Sequence, residues 1–255
     1  QRMSVTVPEA FSALVTGRDP EPNISGDEWL THLPRFVEES LAEWDLTLDG
    51  DPMHGMAALV LPVRLRAGST AVLKVTWPHA DAEHEHLALQ RWGGHGAVRL
   101  IAANPGRWTM VLERLNSDRD LYDVPIDEAC QVTGDLLRQL DHTALPQLSR
   151  LSVESASLVE RLGSAPPAIP RRFVEQARAL LSGLVPDDAL DSRLFHTDRP
   201  HPHLLAAHRP PSPALDPTPL ARAPRSRRVP APPGADVRQV PARDGRRQRP
   251  AHTVE

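Results

Sequence analysis

The chain has 255 residues, 29 Lys+Arg against 33 Asp+Glu, a net charge of −4, and 40% hydrophobic residues. That balance is ordinary for a folded globular protein and excludes a polycation built throughout to coat nucleic acid. The single cysteine, Cys130, excludes an intrachain disulfide or a cysteine zinc cluster, and no apolar run approaches the ~18 residues of a membrane span. The N-terminus lacks the basic-then-apolar pattern of a secretion signal. The expected location is cytoplasmic, with neither membrane nor nucleic acid as partner and the natural start at Met3.

In chain order, a short apolar stretch from Ala10 to Val15 leads into a polar loop with Pro20, Pro22 and Gly26. Ser25 with Glu28 three positions on fits a helix-capping box. Trp29, Leu30, Leu33, Phe36, Val37, Leu41 and Trp44 then recur at helical spacing and form one core face. From Leu46 the pattern becomes strand-like. A turn at Asp49-Gly50-Asp51-Pro52 precedes an apolar run from Met56 to Leu65. A hairpin turn at Arg66-Ala67-Gly68-Ser69 leads to a strand with Val72, Leu73 and Val75. A glycine-rich phosphate loop would belong near Gly50 to Gly55, but no G-x-G-x-x-G occurs there.

A helix is expected from about Ala82 to Trp92. In it, Glu85 shares a face with Ala88, Leu89 and Trp92, whereas Glu83 shares one with His86, Leu87 and Gln90. Glu85 is therefore the acid expected to point inward, where a carboxylate needs a cation; a solvated surface charge is the alternative. His79, His84, His86 and His95 lie close in sequence but lack other ligands for a metal site. Two more strands, Val98 to Ala103 and Thr109 to Leu112, bracket a turn at Asn104-Pro105-Gly106. Glu113-Arg114-Leu115 ends the second and opens a polar connector, Asn116 to Asp120, a natural hinge whose backbone groups could bond a purine edge. Helices follow at about 127–142, at 151–162 and after Pro170, which suits a helix start. Beyond about Leu220, arginine and proline crowd together without apolar periodicity, so the tail is expected to be disordered.

Lys74 is the chain's sole lysine. Arginine supplies every other fixed cation, so a lone lysine within an apolar strand points to chemistry rather than to a side chain snorkelling to water. Far downstream, two acids each follow a short apolar run: Asp198 after Leu194-Phe195-His196-Thr197, and Asp216 after Ala214-Leu215. A strand lysine, an Asp in a loop and a second Asp after a short strand are the parts that phosphoryl transfer requires.

These strings together resemble the aminoglycoside and hydroxyurea antibiotic resistance kinases, within the protein-kinase-like superfamily. The resemblance rests on His54-Gly55-Met56-Ala57-Ala58-Leu59-Val60-Leu61-Pro62-Val63, Val72-Leu73-Lys74-Val75, Glu85-His86-Leu87-Ala88-Leu89, Gly96-Ala97-Val98-Arg99-Leu100 and Leu112-Glu113-Arg114-Leu115. It continues in His196-Thr197-Asp198, Leu204-Leu205-Ala206-Ala207 and Asp216-Pro217. It covers roughly residues 3–220 and implies an α+β, two-lobed protein-kinase-like fold. The lobes would be an antiparallel β N-lobe at 1–113 and a mainly helical C-lobe at 114–220, before a basic Pro/Arg-rich tail at 221–255. It implies ATP and Mg²⁺ as cofactors and an antibiotic-like alcohol as substrate, drawn as a cation to an acidic cleft. In that scheme Lys74 holds the α and β phosphates, braced by Glu85. Glu113 to Leu115 meet adenine. Asp198 accepts the proton of the substrate hydroxyl, and Asp216 binds Mg²⁺.

The sequence departs from the family pattern twice. His203 occupies the position of a metal-binding Asn, after prolines at 200 and 202 that would stiffen the loop, and the basic tail replaces the expected C-terminal helices. A neutral imidazole suits hard Mg²⁺ less well than a carbonyl oxygen. These departures imply a coding frame that slipped near Arg199, returned, and slipped again near Leu220. The alternative functional reading is a pseudokinase that at most binds nucleotide. A third is a basic-tailed binding protein.

Overall fold

Alternation along the strands and helical periodicity before and between them build a sheet covered on both faces. The structure is a computed structural model describing residues 6–21, 23–120, 124–164, 169–183, 191–196, 204–206, 214–215 and 219–222; for 116–120, 195–196 and those from 204 onward it describes the main chain only. The chain divides into two compact units, Gln1–Pro224 and Arg225–Glu255, and every described residue lies in the first.

Two helices come first, α1 (Glu9–Val15) and α2 (Gly26–Glu43). The Ser25 side chain caps α2 by accepting from the Glu28 amide, satisfying one of the donors a helix start leaves orphaned. The helices meet so closely that a Cβ on Gly26 would lie 1.9 Å from the Val15 carbonyl oxygen. The expected apolar stretch at Ala10 to Val15 is thus a helix, and Gly26 is what lets it dock.

The sheet follows: β1 (Thr47–Leu48), β2 (Met53–His54), β3 (Ala58–Arg64), β4 (Thr70–Thr76), β5 (Leu100–Asn104) and β6 (Thr109–Glu113). Its order is β1-β3-β4-β6-β5 with β2 also paired to β3, and every pair is antiparallel. Leu59, Leu61, Val63, Ala71, Leu73, Val75 and Val111 turn to one face and pack with Phe11, Val15, Trp29, Leu33 and Val37 of the first two helices. Alternate residues turn to the other face, as strand geometry demands. There Met110 and Leu112 meet Ala88, Leu89 and Trp92 of α3 (Glu85–Trp92). A short 3-10 turn, Ala80–Ala82, precedes α3, which therefore starts later than its periodicity suggests.

The expected helical part follows as α4 (Ile126–Gln139), α5 (Leu151–Gly163) and α6 (Arg171–Ser182). Ala129, Leu136 and Leu140 join α3 in the second core, and the Trp92 indole donates to the Leu140 carbonyl at 3.1 Å. Gly96, at φ 74°, lets this junction close: a Cβ there would stand 3.1 Å from that of Gln139. The α+β order of an antiparallel sheet followed by helices is the one expected.

One expectation is corrected. Asn116–Asp120 is not an open connector but a strand, β7, paired with β9 (Leu204–Ala206), which pairs in turn with β10 (Ala214–Leu215). Main-chain bonding to a remote segment makes this polar stretch a strand, a partner its own composition could not reveal. The remaining strands, β8 (Arg193–His196) and β11 (Pro219–Arg222), form a second small pair. The tail, 221–255, lies outside the described residues apart from its first two positions.

Candidate active site

The local sequence fixes where Lys74 points. In β4 it pairs with Val60 on one side and Met110 on the other. It alternates with Leu73 and Val75, which are fully buried on the α1–α2 side. Lys74 therefore projects from the opposite face, toward α3.

There it meets Glu85, the first residue of α3. The Lys74 Nζ donates to Glu85 Oε1 at 2.7 Å, with side-chain exposures of 12% and 4%. Glu85 is held in place by the three residues that set its face: Ala88, Leu89 and Trp92 are each fully buried. The inward reading of Glu85 holds, and the solvated alternative does not. A carboxylate this enclosed keeps its charge only against a cation, and an ammonium this enclosed only against an anion. The pair thus holds a compact ammonium in a fixed position on a wall of low dielectric.

The segment after β6 is pinned from two directions. Glu113, opposite Ala71, is buried; its Oε1 accepts from the Arg99 amide at 2.8 Å, and its own amide donates to the Arg99 carbonyl at 2.9 Å. Arg114 Nη1 donates to Asp49 Oδ2 at 3.0 Å, and Asp49 also takes a pair of bonds from Arg64 at 2.8 and 3.0 Å. These guanidinium bonds hold the Asp49 carboxyl below the ordinary aspartate range, Arg64 foremost. Leu115 packs on the second core. The sequence reading missed Asp49, which looked like a turn residue; its partners lie 15 and 65 positions away, and only the sheet register brings them together.

Asp198, His203 and Asp216 lie outside the described residues. The elements beside them in the chain are described. β8 ends at His196, β9 begins at Leu204 and β10 ends at Leu215. Leu194 of β8 is 2% exposed and sits in the same core as Ala88, Leu89 and Trp92, and its amide donates to the His142 carbonyl at 2.7 Å. β7, which starts directly after Leu115, pairs Asn116 with Ala206 of β9. The fold therefore ties the strand that precedes Asp198 to the helix that carries Glu85. It also ties the strand that follows His203 to the one that follows Leu115.

Among the described residues, no group of three His, Cys, Asp or Glu stands close enough to hold a metal ion. None of the described helices is long and apolar enough to cross a membrane.

The chain is similar to several known proteins. A family model, aminoglycoside/hydroxyurea antibiotic resistance kinase, matches residues 43–223. The chain is 35% identical over 223 residues to a streptomycin 6-kinase of Streptomyces glaucescens, covering 85% of this chain and 71% of that one. It is 35% identical over 215 residues to a hydroxyurea phosphotransferase of Kitasatospora aureofaciens, covering 81% and 63%. A streptomycin 6-kinase of Streptomyces griseus is 34% identical over 201 residues, covering 76% and 65%. The chain thus spans about two thirds of the length of these relatives. Among solved structures, a macrolide 2'-phosphotransferase from Brachybacterium faecium, as the apoenzyme, is 14% identical with a TM-score of 0.39, covering 73% of this chain and 72% of that one. With a match over most of its length and relatives of this identity, the chain belongs to the aminoglycoside/hydroxyurea antibiotic resistance kinase family.

Proposed function

We propose that the protein transfers the γ-phosphoryl group of ATP to a hydroxyl of a small antibiotic-like molecule, an aminoglycoside or a hydroxyurea-like compound. The observation that carries this reading is the enclosed Lys74–Glu85 pair, set in a chain whose relatives are phosphotransferases by name. Phosphoryl transfer asks a protein mainly for positioning and for neutralisation of charge. Lys74, braced by Glu85, meets the α and β phosphates. The Glu113 carboxylate is engaged by the Arg99 amide, so this segment, through Leu115, offers adenine its main chain. The boundary between the lobes falls here, near residue 113, and the substrate binds in the cytoplasm.

Asp198 accepts the proton as the substrate oxygen bonds to the γ phosphorus and the bond from that phosphorus to the β-phosphate oxygen breaks. Asp216 supplies the carboxylate that suits a hard, oxygen-seeking Mg²⁺, and His203 stands as a weaker second donor. When bound, the metal would offset charge on the β and γ phosphates. Asp216 orients it, and Asp198 orients the hydroxyl.

The test is ADP formation by the full chain with Mg·ATP and a panel containing streptomycin, hydroxyurea and other alcohols. Acceptor-dependent ADP supports the reading. Nucleotide binding, seen as a thermal shift, with no turnover on any acceptor would instead identify a pseudokinase.

A further inference from the structure

The turn between β2 and β3, residues 55–57, lies close to Lys74 in the sheet's register. Met53 pairs with Val60, and Val60 pairs with Lys74, so these three residues share a face of the sheet. The three carbonyls of this turn, and that of Ala58 at the start of β3, are tied back. Gly55 O bonds the His54 ring at 3.1 Å, and Met56 O accepts from Arg18 Nη2 at 3.0 Å. Ala57 O accepts from the Trp77 amide at 2.7 Å, and Ala58 O from the Gly55 amide at 2.9 Å. In contrast, among the described residues nothing accepts from the amides of Met56 and Ala57.

The two facts are connected. In a trans peptide the carbonyl and the next residue's N–H point in opposite directions. Holding Gly55 O and Met56 O therefore turns the Met56 and Ala57 N–H groups away from their anchors. Two successive amides left without a protein acceptor, on the side away from those anchors, are donors that an anion can take.

Arg18 is a fixed anchor. Its amide donates to Val15 O at 3.3 Å and its carbonyl accepts from Gly26 N at 3.0 Å. Its Nε donates to Leu14 O at 2.8 Å, and its guanidinium lies 5.2 Å from the Trp77 ring centre. Trp77 is the residue whose amide holds Ala57 O, so the two grip adjacent carbonyls together.

We propose that Arg18 is a positioning residue for phosphate. From the connection between α1 and α2 it holds the Met56 carbonyl, and so presents the Met56 and Ala57 amides to the triphosphate of a nucleotide. This deepens, and rests on, the nucleotide reading above. It also supplies what the missing glycine motif would otherwise do.

The experiment measures Mg·ATP and adenosine affinity by calorimetric titration for the full chain and three variants, with melting curves to establish folding. Arg18→Met keeps the stem on Trp77 but has no donor; Arg18→Gln keeps a donor without the charge; Ala57→Pro deletes an amide directly. The expected result is Mg·ATP affinity about five- to tenfold weaker in Arg18→Met, as for one lost hydrogen bond. Adenosine affinity should stay unchanged, Arg18→Gln should be largely restored, and Ala57→Pro should show the same selective loss. If Arg18→Met does not fold, Ala57→Pro and Arg18→Gln decide. Equal losses for both ligands, or no loss for Mg·ATP, overturn the assignment. Failure of the unmodified chain to bind Mg·ATP overturns the nucleotide reading itself, and this one with it.

Discussion

Splitting the Lys74–Glu85 pair should cost more than removing it. The charges are 2.7 Å apart, with 12% and 4% of their side chains exposed. At an effective dielectric near 20 their attraction is on the order of 6 kcal/mol, most of it offset by the cost of taking both charges from water. Truncating one partner forfeits the attraction and leaves the other's desolvation uncompensated, a loss of ~3–5 kcal/mol in enclosed pairs. Lys74 has the longer stem and some room to reach water, so Glu85→Leu should cost about 2–4 kcal/mol, and Lys74→Met about the same or more. The double variant replaces both charges with apolar groups of similar volume and should cost less than the two singles summed, with a coupling of at least ~1 kcal/mol. Urea unfolding of the four proteins measures this, provided the slopes agree. Additive single effects would refute the reasoning, because the two side chains would then not be stabilising each other.

Restoring a carbonyl donor at position 203 should strengthen the metal site: His203→Asn is expected to lower the Mg²⁺ concentration for half-maximal ATP turnover several-fold, read by titrating Mg²⁺ at fixed ATP. His86, half-buried beside Glu85, has its pKa lowered from 6.5 by burial and by His84. Its charged form is thus disfavoured in the fold, and the unfolded chain takes up more protons as pH falls. Its contribution is whole above pH 6.5 and is lost as pH falls below that. The melting temperature should therefore drop more from pH 8 to pH 5.5 in the unmodified protein than in His86→Gln; equal drops would contradict this.

Much of the site was legible because each clue was local. Ala88, Leu89 and Trp92 assign Glu85 to the buried face of α3 by spacing alone. A solitary lysine in an arginine-rich chain marks Lys74, and Ser25 marks the start of α2. The missed features depend on residues remote in sequence. Asn116–Asp120 is polar and reads as a connector, yet β9 makes it a strand. The hold of the Arg99 main chain on the Glu113 carboxylate and amide spans 14 positions. Arg18 carries no motif at all, and its hold on Met56 spans 38 positions. Local composition cannot report a partner that only sheet register supplies.

The most direct measurement is mass spectrometry of the acceptor after incubation with Mg·ATP and either the unmodified protein or Asp198→Asn. The account predicts a phosphorylated acceptor with the unmodified protein and none with Asp198→Asn, while both still bind nucleotide through Lys74. Undiminished product from Asp198→Asn would contradict it.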